Sequence, residues 1–112
     1  MDSILTSIKT LLSIPEECTD FDNELIVHIN SVFMILNQIG IGPEEGYFIT
    51  SSEQYWSDFL GEAKNVEAVK SYVHLKVRMV FDPPTSSHVL EAMNRQASEY
   101  EWRLSISNVT NA

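Results

Sequence analysis

Cysteine, glycine and proline are all scarce in this chain, which has one cysteine, four glycines and four prolines among 112 residues. The lone Cys18 cannot form an intrachain disulfide, and it cannot supply a zinc site built from several cysteines. So few glycines and prolines exclude collagen-like and linker-like sequence. Because the length is close to that of one typical domain, the chain is predicted to fold around a single hydrophobic core.

Basic residues are also few, since seven lysines and arginines face sixteen aspartates and glutamates, for a formal net charge of −9. Proteins that bind nucleic acid or anionic membranes in general present a basic surface. The composition therefore argues against both functions. The charge is unevenly distributed: residues 1–62 hold eleven acids and only Lys9, whereas residues 63–112 hold five acids and six bases.

One uncharged run needs to be compared with a membrane span. Residues 25–43 contain no Asp, Glu, Lys or Arg. The length of this run is nearly that of a membrane-spanning helix. The run includes His28, Asn30 and Asn37, and such polar groups are costly in lipid. A buried helix is predicted instead. The N-terminus also lacks the positive charge and cleavage site of a secretory signal, so a cytoplasmic, reducing compartment is expected.

Apolar residues recur at spacings of three and four along most of the chain, which is the pattern of amphipathic helices. An all-α fold is predicted, a small bundle of four to five helices with a long central helix and a flexible C-terminal tail. The predicted helices cover residues 3–13, 21–39, about 51–60, 64–81 and 86–104. The second is apolar on most sides, so it is expected to lie at the centre of the bundle.

Capping residues and prolines set the predicted helix boundaries. Pro15 is expected to end the first helix, and Asp82 with the two prolines after it is expected to end the fourth. The predicted N-caps are Asp2 or Ser3, Asp20, Ser51 paired with Gln54, and Ser86 or Ser87. The predicted core lines of the last two helices are Val66, Val69, Val73, Val77 and Val80, and Val89, Leu90, Met93, Ala97, Tyr100 and Leu104.

The last eight residues, 105–112, carry no charged side chain and show little helical periodicity. They are predicted to form a flexible tail that follows a helical domain of residues 1–104. The tail contains two large apolar residues, Ile106 and Val109, among Ser, Asn and Thr. We expect these two side chains to become ordered against a partner protein.

The sequence offers little for catalysis or metal binding. Glu24 and His28 are four residues apart and can touch on one helix face, but a metal site needs three or four converging ligands. His88 and Glu91 form a second pair with no further ligand. Neither a glycine-rich dinucleotide loop nor a phosphate-binding lysine loop is present. The chain is therefore predicted to have no catalytic residue, no cofactor and no metal site.

Two features suggest a surface for assembly. Lys70, His74 and Arg78 recur every four residues, so they share one face of the fourth helix. That face is either solvated, or it forms the basic side of an interface whose other side is the acidic N-terminal half, residues 1–62, of a second copy. Trp102 lies off the core line of the last helix. It is either an interface anchor or a side chain packed beneath the first helix or the tail.

Two segments of the second half resemble a known protein family. Residues 68–87, with Phe81-Asp-Pro-Pro-Thr-Ser-Ser87, and residues 92–104, with Glu101-Trp-Arg-Leu104, are similar to the small head–tail connector proteins of long-tailed bacteriophages. These are also called head-completion or DNA-packaging adaptor proteins. The upstream Tyr55-Trp-Ser-Asp-Phe-Leu-Gly61 fits the same pattern, so that the resemblance covers about residues 45–106.

The resemblance implies a non-enzymatic virion protein with an all-α fold. Members of this family form a ring beneath the dodecameric portal protein and join the filled head to the stopper or tail-completion protein. DNA would pass through the channel of the ring without specific binding, and an acidic chain suits such a conduit because phosphate contacts would retard the duplex. The C-terminal tail would project toward the portal. The implied location is the head–tail junction of the virion, and the host cytoplasm during assembly.

Two other interpretations stay open on the residues alone. A small acidic helical protein that binds an intracellular partner or regulator would share this composition but remain monomeric or dimeric. A small helical-bundle enzyme would need several polar groups that converge in a pocket, and the sequence offers only Glu24 with His28.

Overall fold

The computed structural model describes residues 3–61 and 66–111, without the side chains of residues 107–111. Its helices are α1 (Ile4–Leu11), α2 (Asp22–Gln38), α3 (Trp56–Leu60), α4 (Val66–Phe81) and α5 (Ser87–Asn111). Within these described ranges there is no strand, and a single isolated bridge joins Ser3 to Tyr55. The predicted all-α fold is therefore confirmed.

The helix at the centre of the bundle is α4. It packs along α2 and along α5, and it also contacts α1. Val69, Val73 and Val77 are completely buried in this position, as the stripe predicts. The expectation that α2 lies at the centre is wrong, because α2 keeps an outer face on which Val27 and Met34 are exposed.

The core draws side chains from all five helices and from the segment between α2 and α3. Its buried members include Ile4, Leu5, Ile8, Leu25, Ile29, Phe33, Leu36, Ile49, Trp56, Phe59, Tyr72, Ala97 and Leu104. Two positions of the predicted core lines, Val80 and Val89, are instead exposed. Both lie in terminal turns, where fewer neighbouring helices are present to cover a stripe position.

The ends of α1 and α2 differ from the prediction. Helix α1 ends at Leu11, before Pro15, and the chain turns at Ser13, whose φ of 63° is left-handed. The N-cap of α2 is Phe21, without a side-chain cap bond, so Asp20 does not have the predicted capping role. The cap of α1 is as predicted, since Ser3 Oγ accepts a hydrogen bond from Thr6 N.

A buried lysine joins these two helices. Lys9 lies 2.9 Å from the Asp22 carboxylate and donates a 2.9 Å hydrogen bond to the Glu16 carbonyl. A buried charge is tolerated when it is paired and hydrogen-bonded in this way. Lys9 is the only lysine or arginine among residues 1–62. It thus holds the connection between α1 and α2 in place.

The segment between α2 and α3 is held by amide side chains rather than by a regular element. Asn30 Nδ2 donates to the Ile49 carbonyl at 3.0 Å, and Asn30 Oδ1 accepts from Ile49 N at 2.8 Å. Gln54 Oε1 accepts from Ser51 N within this loop, so the predicted cap of Ser51 and Gln54 does not start a helix. Helix α3 begins later, where Asp58 accepts a hydrogen bond from Tyr55 N.

Helix α5 starts as predicted, since Ser86 Oγ accepts a hydrogen bond from Val89 N. Its backbone continues to Asn111, so no helix end marks the predicted boundary between residues 104 and 105. Ile106 is partly exposed, and the side chain of Val109 lies outside the described residues. Over the described ranges, none of the helices combines the length and the apolar character needed to cross a membrane.

Candidate assembly surfaces

The predicted row divides in the structure: Lys70 and His74 line the groove between α1 and α4, whereas Arg78 lies outside the groove lining. The Lys70 side chain is only 16% exposed, with Nζ 5.8 Å from the centre of the Trp56 ring and 3.9 Å from Glu67 Oε1. The ammonium group is thus held over an aromatic face beside an acid. Arg78 is the one exposed member of the row.

His74 is half-buried in the same groove and makes a hydrogen bond with the backbone of Leu11. Burial lowers its pKa below the usual value, the nearby Arg78 lowers the pKa further, and the Leu11 contact opposes the shift. The Nε2 atom is buried without a hydrogen-bond partner. His74 is therefore neutral at pH 7 and adds no charge to the row.

The groove itself is open, with a volume of about 770 Å³. Side chains with hydroxyl or ionisable groups line most of it: Ser3, Thr6, Ser7, Thr10, Glu16, Ser52, Glu53, Tyr55, Glu67, Lys70, Ser71 and His74. One of the hydroxyls, Ser7 Oγ, accepts a 2.8 Å hydrogen bond from Trp56 Nε1. That bond ties α1 to the start of α3.

The candidate metal-binding pairs, Glu24 with His28 and His88 with Glu91, gain no third ligand among the described residues. His28 Nε2 lies 3.9 Å from Glu24 Oε1, which is an i,i+4 contact on the surface of α2. Among the residues that the structure describes, no group of three or more His, Cys, Asp or Glu side chains could hold a metal ion.

Trp102 is 64% exposed, whereas Leu104, two positions later, is buried. Residues two positions apart in an α-helix are separated by about 200° around its axis, so Trp102 points away from the core. Of the two interpretations of Trp102, packing beneath α1 does not fit this exposure. Arg95, Glu99, Trp102 and Ile106 form what we call the α5 outer face, and Glu99 pairs with the neighbouring Arg103 at 2.6 Å.

A second apolar surface, missed in the sequence, lies on α2. Val27 is 62% exposed, Met34 is 55% exposed, and Phe48 from the following loop is 57% exposed. Together with Ser31 and Gln38 they form what we call the α2 outer face. The helical spacing of Val27, Ser31, Met34 and Gln38 could have revealed it, but the uncharged run 25–43 is predicted from the sequence to be a buried helix, apolar on most sides.

A cavity of about 230 Å³ opens on the α2 outer face between Met34 and Phe48. Phe33 and Tyr47 line it, with their ring centres 5.9 Å apart in an edge-to-face arrangement. Asn37 Nδ2 donates to the carbonyls of Pro43 and Glu44 at 3.1 and 3.2 Å, which fixes the chain just before this wall. The cavity is therefore preformed.

Comparison with known proteins gives one match. A family model described as phage connector protein matches residues 4–111, which include all five helices. A search of the curated proteins and a search of the solved structures found no match. The match confirms the resemblance and extends it to the N-terminal helices. Connector proteins are structural components of the virion and contact other head and tail proteins. This chain belongs to the phage connector protein family.

Proposed function

We propose that this chain is a structural virion protein that forms a ring between the portal and the stopper or tail-completion protein. The observation that carries the proposal is the family match over residues 4–111. The ring completes the head and provides the conduit through which DNA passes. The chain has no enzymatic role in this proposal, and it needs no cofactor.

Two properties of the molecule support this role. The net charge of −9 disfavours tight contact with passing phosphates, so the duplex can slide through the channel. The fold also presents apolar side chains on two separate helices, on the α2 outer face and on the α5 outer face. A ring subunit needs two different contact surfaces, because each copy meets one neighbour on either side.

The proposal assigns the C-terminal segment to the portal. Ile106 and Val109 would dock there, while the rest of the ring faces the stopper. The protein would be found at the head–tail junction of the virion and in the host cytoplasm during assembly.

Electron microscopy of the purified protein, alone and mixed with its portal, tests the proposal. We expect rings with a central channel, either in the free protein or on the portal. A protein that stays monomeric or dimeric with the portal present would contradict the proposal. That result would favour the small acidic interaction protein instead.

A further inference from the structure

The α2 outer face differs from the rest of the surface of this acidic protein. From Val27 to Pro43 the chain carries no charged side chain, yet Val27, Met34 and Phe48 are all more than half exposed. Burial therefore does not account for the missing charges. Surfaces from which charged residues are depleted, with aromatic residues and methionine in their place, are typical of the centres of protein–protein interfaces.

The α5 outer face has the complementary properties. Its large aromatic side chain, Trp102, is the most exposed of the large apolar residues among those described. Arg95 and Arg103 lie on either side of it along the helix, Arg103 in an ion pair with Glu99, whereas Glu45 lines the cavity of the α2 outer face. Anchoring aromatic side chains typically fill preformed pockets, and surrounding charges of opposite sign set the register.

We infer that Trp102 of one copy inserts into the cavity between Met34 and Phe48 of the next copy. The occupant is a second copy of this chain, because the cavity is lined by the acid Glu45 and the tryptophan is flanked by Arg95 and Arg103. The uncharged surface also lets two chains of net charge −9 approach each other with the least repulsion.

This contact joins two different surfaces, so it is head-to-tail rather than two-fold symmetric. Contacts of this kind close into rings when the rotation between copies allows it. The inference therefore rests on the proposed ring, and it names the two surfaces that build the ring. It leaves the C-terminal end of α5 available for the portal.

A mixing experiment tests the head-to-tail contact directly. Met34→Glu disables the α2 outer face, and Trp102→Glu disables the α5 outer face. Val80→Glu is the matched control, because Val80 is equally exposed but belongs to neither face. The masses of the particles are measured by light scattering after size-exclusion chromatography, and circular dichroism verifies that each variant is folded.

We expect the wild-type protein and Val80→Glu to assemble, and each face variant alone to stay monomeric. An equal mixture of the two face variants should form dimers and no larger species. In this dimer the intact Trp102 of the first variant occupies the intact cavity of the second, and the two disabled faces prevent further addition.

Other outcomes overturn the inference and separate it from the proposed function. If the wild type assembles and both face variants assemble as well, the surfaces are misassigned while the ring stands. If Met34→Glu assembles normally but no longer binds the portal, the occupant of the cavity is the portal and not a second copy. If the wild type forms no oligomer, alone or on the portal, the proposed ring itself is contradicted.

Discussion

The hydroxyl of Tyr72 in α4 donates a 2.7 Å hydrogen bond to Glu101 Oε2 in α5. Lys76 Nζ lies 4.0 Å from the same carboxylate oxygen. Because Glu101 directly precedes Trp102, this contact sets the rotation of α5 about its axis and directs the tryptophan outward. A partly buried polar contact in the monomer thus positions the side chain that we assign to assembly.

Replacing Tyr72 by Phe should lower the free energy of unfolding by about 1–2 kcal/mol, because the Glu101 carboxylate loses a hydrogen bond. Urea unfolding measures the change. Glu101→Gln keeps an acceptor at this position and should cost less than Tyr72→Phe. Equal stability of Tyr72→Phe and the wild type would show that the bond does not fasten α5 to α4.

The same tyrosine should make the protein sensitive to alkali. Burial, followed by the hydrogen bond and the charge of Glu101, raises the pKa of Tyr72 above its ordinary value. The folded state therefore holds the phenol proton more tightly than the unfolded state, and this contribution to stability is fully present below about pH 10. Above that pH the free energy of unfolding should fall. In Tyr72→Phe the decline should be shallower, and identical declines would contradict the assignment.

His74 should destabilise the protein in acid. Its pKa is lowered by burial first and by Arg78 second, so the unfolded state takes up a proton more readily than the folded state. Stability should therefore decrease as the pH falls below about 6.5, the ordinary pKa of histidine. His74→Gln cannot take up this proton, so the difference between its unfolding curve and that of the wild type isolates the effect. A constant difference between pH 7 and pH 5 would disprove it.

Core and surface side chains should separate stability from assembly. Leu36 and Val73 are completely buried, so truncating either to Ala should cost about 2–4 kcal/mol.

Trp102→Ala should leave the melting curve of the monomer nearly unchanged and impair assembly. A large loss of monomer stability in Trp102→Ala would instead place the indole against the core.

Charge reversal distinguishes the members of the Lys70 row. Lys70→Glu should destabilise the monomer because it removes the cation over Trp56 and places an acid near Glu67. Arg78→Glu changes an exposed charge, so it should leave the monomer stable and weaken assembly only if this row contacts a neighbouring copy. Added salt should then weaken wild-type assembly as well. Assembly that is indifferent to Arg78→Glu and to salt would exclude the row from the interface.

Deleting residues 105–112 tests the assignment of the C-terminal segment to the portal. The truncated protein should lose only the last turns of α5 and keep its unfolding curve, because Leu104 is the last residue of α5 whose described side chain is buried in the core. It should fail to attach to heads. Normal attachment would show that this segment is an ordinary terminus.

The sequence by itself determined the helical class and the order of the helices, because spacings of three and four are a local property of the chain. Its apolar stripes also included buried residues of α4 and α5, such as Val73 and Leu104, although Val80 and Val89 of the same stripes are exposed. It marked Trp102 as lying off the core line. The resemblance to connector proteins needed no tertiary structure either.

Only the tertiary structure decided which neighbour covers each face. Periodicity defines an apolar stripe but does not say how many helices pack around it. The sequence therefore predicts α2 at the centre of the bundle, whereas α4 lies there in the structure. For the same reason Lys70 and His74 could not be placed in the groove beside α1 from the sequence alone. Burial depends on contacts between residues far apart in sequence, and these form only when the helices pack together.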